Sequence, residues 1–152
     1  LSFGELSRTV IPQKFPGDVE AAYAFLLAQK DVDPSRVAAG GASCGVTQSS
    51  GLAARHPEIT TLMVLSGTAS DETKAYIAKT PALAIFGAAA EEDRNAAAGI
   101  KAALEASKNP KSMLKMYAGA EHGVPMFAKN PELEPMIVSW VKTQLLSKKG
   151  TR

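Results

Sequence analysis

Only one cysteine, Cys44, and two histidines, His56 and His122, occur in the 152 residues. A single thiol cannot close an intrachain disulfide, so the fold does not depend on an oxidising compartment. No apolar run approaches the roughly 20 residues that span a bilayer, so no membrane partner is expected. Residues 1–8 are neither long nor basic enough for a secretory leader, but the chain begins at Leu1 rather than Met, and the lack of a leader therefore says nothing about location. An excess of one charge is missing as well. The 17 Lys and Arg stand against 15 Asp and Glu, scattered apart from a short basic end at Lys148, Lys149 and Arg152, which argues against a nucleic-acid or polyanion partner. What is present is a 45% hydrophobic content, enough at this length for one core and too little for two ordinary domains. One domain, or a piece of one, is expected, with no internal repeat, low-complexity tract or linker.

The apolar residues alternate between two periods. Pro16, Gly17 and Asp18 make a turn and a helix cap, after which Val19, Ala22, Phe25 and Leu26 recur at helical spacing and predict a helix over 18–29. Asp33-Pro34 breaks the chain. Small and branched residues over 36–41 then predict a buried strand, and a helix over 45–55 stops at His56-Pro57 because a residue before proline is pushed out of the helical region. The pattern repeats with strands over 61–66, 82–86 and 112–117 and helices over 71–79 and 94–107. A last helix ends near 146; it starts either at the Asn130-Pro131 cap or after Pro135, which would interrupt a longer ladder. Strands and helices alternating at these lengths imply an α/β fold, three-layered αβα and doubly wound, around a mainly parallel sheet. Lys111 and Lys115 around the last strand suit a sheet edge that resists pairing with other chains.

Gly41-Ala42-Ser43-Cys44-Gly45 fits G-x-S-x-G and sits between a predicted strand and a predicted helix, as a nucleophile elbow requires. Such a turn strains its central residue and exposes the Ser43 hydroxyl, and the elbow glycines let strand and helix backbones approach. The helix start beneath it offers the N–H of Cys44 to an oxyanion. A bland reading makes Ser43 a helix cap in a glycine-rich turn. Cys44 as the nucleophile would want glycines at 42 and 46, where Ala42 and Val46 stand, so a small buried hydrophobe suits it better. His122, in the glycine-flanked loop Gly119-Ala120-Glu121-His122-Gly123 after the last strand, is the expected general base, whereas His56 at a helix end needs no function. The acid that fixes the imidazole tautomer is expected at Asp93, with Glu92 second and Asp71 a rival, all at helix starts where acidic residues are favoured without any chemistry. The order Ser, acid, His is that of triads on this kind of sheet.

The segments DVEAAYAFL, VAAGGASCG, ARHPEITTLMVLSG, PALAIFG and YAGAEHGVPMF, with a following helix containing Trp140, resemble the α/β-hydrolase superfamily and, within it, the dienelactone-hydrolase-like esterases from about Phe15 onward. The resemblance implies hydrolysis of an ester-type bond of a small-molecule substrate through an acyl-enzyme intermediate, with no metal or organic cofactor. Dienelactone hydrolases proper place cysteine at the elbow where this chain has Ser43, which favours a general carboxylesterase. Relatives also carry several strands before the elbow strand, and the loop after the third supplies a second oxyanion N–H. The chain is therefore expected to be the C-terminal half of a longer domain, or a reduced domain that a partner or a second copy completes. Losing one oxyanion donor costs on the order of 100-fold in rate. Only Ser66 to Ser70 separate the second strand from its helix, too few residues for a cap domain, so an open site for small or extended esters is expected. Two other readings stand beside the esterase: an interaction module pairing through an exposed sheet edge, and a peptidase or thioesterase using the same triad.

Overall fold

Short runs of small or branched apolar residues, each followed by a helix, become the strands of the structure. A computed structural model describes residues 2–147, leaving the basic end at Lys148, Lys149 and Arg152 outside the described residues, and the chain divides after Pro34 into two compact units. The first holds helix α1 (Phe3–Glu5), a π-helical turn (Leu6–Val10) and helix α2 (Ile11–Leu27). The turn and cap expected at Pro16, Gly17 and Asp18 are absent, because all three lie inside α2. The φ that proline imposes is itself helical, and Pro16 forfeits the one N–H that would bond the carbonyl of Pro12. The apolar face is also turned from the expected one: Tyr23 is buried while Phe25 is 70% exposed.

The second unit carries the sheet. Strands β1 (Ala39–Ala42), β2 (Thr61–Leu65), β3 (Ala84–Ala90) and β4 (Met113–Tyr117) pair in the order β1-β2-β3-β4, every neighbouring pair parallel. Helices α3 (Cys44–Arg55), α4 (Asp71–Lys79) and α5 (Arg94–Ala106) pack side by side on one face. On the other face lie a one-turn helix α6 (Pro125–Lys129) and α7 (Leu133–Leu146), the latter against Leu65, Ala84, Phe86 and Ala88. The result is a three-layer α/β fold. Trp140 of α7 meets Phe86 with ring centroids 5.7 Å apart and donates its indole N–H to the carbonyl of Lys111 at 3.0 Å, so the apolar ring is buried and its one polar group is satisfied. No helix among the described residues is long and apolar enough to cross a membrane.

Two boundaries differ from expectation in ways that matter for the site. β3 does not stop at Phe86 but runs on to Ala90, with all of its residues buried and Ala88–Ala90 paired to Lys115–Tyr117. Gly87 lies inside the strand because a Cβ there would strike the side chains of Leu104 and Ile100, so its absence lets α5 close onto the sheet. The final helix begins at Leu133 and includes Pro135 as its third residue, where the backbone N–H has no intrahelical acceptor to lose. The short α6, which the sequence pattern did not reveal, precedes it. β4 is an outer strand, in keeping with Lys115 on it.

Helix α4 is tied to α3 by Tyr76, whose hydroxyl donates to the carbonyl of Ala53 at 2.7 Å and whose pKa is raised by burial. A tyrosine with a folded pKa above its unfolded value of about 10 adds stability that is fully present below that value and is lost as pH rises through the folded pKa. Tyr76→Phe is expected to lower stability at neutral pH by about 1 kcal/mol and to flatten the alkaline fall. Urea unfolding of both proteins across that range measures it; equal slopes would deny Tyr76 the role.

Candidate active site

Chemistry collects at the carboxyl ends of β1, β3 and β4. β1 ends at Ala42 and α3 begins at Cys44, so Ser43 alone makes the turn, with φ 54° and ψ −122°, a region that costs a non-glycine residue about 1–3 kcal/mol. Its N–H donates to the carbonyl of Leu65 at 2.9 Å and holds the turn against β2. A Cβ at Gly41 would collide with the backbone of Gly45, which explains that glycine. Gly45 departs from expectation, since a Cβ added there meets nothing within 4 Å. The close approach runs from the strand residue onto the helix backbone, and one missing Cβ suffices for it. The N–H of Cys44 is at the first helical position, where no intrahelical acceptor exists.

His122 rides on the loop after β4, which turns at Gly119 (φ 108°) and Gly123 (φ 67°), backbone conformations that side chains with a Cβ rarely adopt. The loop after β3 runs beside it. Two main-chain hydrogen bonds join them, from the N–H of Glu91 to the carbonyl of Tyr117 (2.8 Å) and from the N–H of Glu92 to that of Gly119 (2.9 Å). Asp93 follows directly and directs its carboxylate at His122: His122 Nδ1 lies 2.6 Å from Asp93 Oδ2, and His122 Nε2 lies 2.8 Å from Ser43 Oγ. With Asp93 ionised, Nδ1–H donates to it and Nε2 is left to accept the serine proton. The Asp93 side chain is 17% exposed and that of His122 50%.

Ser43 and Asp93 both occupy N-cap positions, of α3 and α5, and neither side chain caps its helix. Ser70 behaves differently. It accepts from the N–H of Thr73 at the start of α4, and Asp71 beside it pairs with Lys74 at 2.7 Å, a hydrogen bond that holds its carboxyl below the usual range. The capping reading of Ser43 is thereby set aside, and Asp71 is occupied away from His122. Glu92 contributes its backbone, while its side chain is exposed. His56 ends α3 and pairs with Glu58 at 3.4 Å.

A cavity of about 310 Å³ opens over Ser43, Asp93 and His122 and is lined further by Cys44, Thr47 and the turn Ser66–Thr68, with Asn95 and Ala96 of α5. The Cys44 thiol is free and exposed, not the buried hydrophobe expected, because the first residue of a helix that starts on a strained turn faces out. The wall built by Ser66, Gly67 and Thr68 went unseen in the sequence. Ser66, fully buried with φ 42°, donates its N–H to the carbonyl of Ala88 and its hydroxyl to the sulfur of Met126, tying this turn to the helix that follows His122. The Ser-Gly pair directly after β2 was its only signal. Among the described residues no group of three His, Cys, Asp or Glu is arranged to hold a metal ion.

No curated protein matches the chain. A family model described as the dienelactone hydrolase family does, over residues 2–134, which takes in every strand and all three residues of the hydrogen-bonded chain. The chain thus belongs to the dienelactone hydrolase family, within the α/β-hydrolase superfamily, and is a hydrolase domain.

Proposed function

We propose that the protein is a serine hydrolase that cleaves carboxylic ester bonds through an acyl-enzyme intermediate. The observation that carries this reading is the pair of hydrogen bonds at His122, one accepted from the Ser43 hydroxyl and one donated to Asp93, shared with two N-cap residues that leave their own helices uncapped. His122 Nε2 takes the proton as Ser43 Oγ attacks the ester carbonyl carbon. The oxygen of the resulting tetrahedral intermediate gathers negative charge and is met by the N–H of Cys44, supported by the start of α3. Collapse expels the alcohol, which leaves with the proton from His122 and gives the acyl-Ser43 ester. Water then repeats the sequence: His122 removes its proton, the hydroxide oxygen attacks the acyl carbon, and the acid departs as Ser43 regains its proton. Asp93 keeps its charge throughout, holding Nδ1–H and stabilising the imidazolium.

Intact-mass analysis after exposure to a fluorophosphonate tests this reading. One adduct, mapped to the peptide carrying Ser43, is expected, because only an activated serine displaces the fluoride. An unmodified protein would sink the proposal.

A further inference from the structure

We infer that the cavity over Ser43 selects short, uncharged, hydrogen-bonding esters, with Thr68 and Asn95 setting that preference; this rests on the serine-hydrolase reading above. At about 310 Å³ the cavity is at the small end of ligand sites, which run from about 300 to 1,000 Å³. Its size is fixed by close packing. A Cβ on Gly67 would lie 2.7 Å from the carbonyl oxygen of Ser43, and a Cβ on Gly99 2.7 Å from that of Gly67. The turn forming the wall is thus wedged between α3 and α5 by two missing side chains and has no room to retreat.

About half of the lining is polar. Thr47, Thr68 and Asn95 bring two hydroxyls and an amide, and all three are exposed. The charged groups among the lining residues are Asp93 and His122, which are engaged with each other, and among the described residues no Lys or Arg lines the space. An anionic ester finds no Lys or Arg among these lining residues and meets the Asp93 carboxylate. A long acyl chain gains little either, since its methylenes would lie against hydroxyls and an amide. An apolar acyl pocket raises kcat/KM about fourfold for each methylene it buries.

The test measures kcat/KM for the p-nitrophenyl esters of acetate, butyrate, octanoate and hemisuccinate, each expressed per serine that a fluorophosphonate labels. A flat or falling series from acetate to octanoate is expected, with hemisuccinate about tenfold below butyrate. Asn95→Leu should raise the octanoate to acetate ratio several-fold, and Thr68→Val, nearly the same shape without the hydroxyl, should move it in the same direction. A fourfold climb per methylene, a hemisuccinate rate equal to that of butyrate, or a ratio indifferent to both variants overturns the inference while labelled Ser43 keeps the hydrolase reading intact. The absence of both labelling and turnover with every ester would sink that reading, and this inference with it.

Discussion

Ser43→Ala is expected to lower kcat for p-nitrophenyl acetate by about a millionfold, the loss seen when a nucleophile is removed from a working triad, without a comparable loss of stability. The serine oxygen is bonded to the His122 ring and caps nothing, so its removal takes away the attacking atom and leaves α3 as it was. Ser70→Ala is the matching control. That hydroxyl caps α4 by accepting from Thr73 and has no part in the cavity, so its loss should cost about 1 kcal/mol of stability and leave kcat alone. Steady-state kinetics and urea midpoints on the two variants separate a chemical serine from a structural one. Activity surviving in Ser43→Ala and abolished by a thiol reagent would hand the nucleophile's role to Cys44.

The second large effect is expected from Asp93→Asn, a drop in kcat of about 10⁴-fold with the fold retained. The amide that replaces the carboxylate can present its NH₂ to Nδ1, which turns that nitrogen into an acceptor and moves the ring proton to Nε2. A protonated Nε2 facing Ser43 cannot receive the hydroxyl proton, and the imidazolium of the transition state loses its countercharge. Glu92→Gln and Asp71→Asn should stay within a few-fold of the native rate, one exposed and the other paired with Lys74. Should Glu92→Gln match Asp93→Asn in severity, the acid has been misassigned. Circular dichroism on each variant guards against reading an unfolded protein as an inactive one.

Much of this site could be read from the chain. G-x-S-x-G between a strand pattern and a helix pattern points to Ser43, with only two histidines present the one in a glycine-flanked loop after the last strand is the proposed base, and the structure brings the two within 2.8 Å. The acid was harder, because Asp71, Glu92 and Asp93 all stand at helix starts after strands. What distinguishes Asp93 is the pairing of the loops after β3 and β4, a contact between segments remote in sequence. Gly87 misled for a related reason. Taken alone, a glycine after ALAIF looks like the end of a strand, and only α5 packed above it explains why it belongs to the interior. Pro16 within α2 shows the opposite case, a residue read as part of a turn ahead of the helix, whose fixed φ the helix accommodates. Local propensity was outweighed in both places by what the neighbouring chain requires.

The main-chain ties between the acid loop and the base loop divide the site into two parts of different character. Glu91 and Glu92 donate through their backbone, so the seam that holds Asp93 beside His122 does not draw on their carboxylates. Ser43 arrives separately, from β1 at the far end of the strand order, and joins the pair through its hydroxyl alone. Asp93 and His122 therefore form one unit held by main-chain bonds, and Ser43 reaches it through a single side-chain contact. Under the proposed mechanism, a thiol in the same position would meet the same imidazole with these backbone ties intact, so a single substitution at the elbow exchanges the attacking atom and leaves its partners in place.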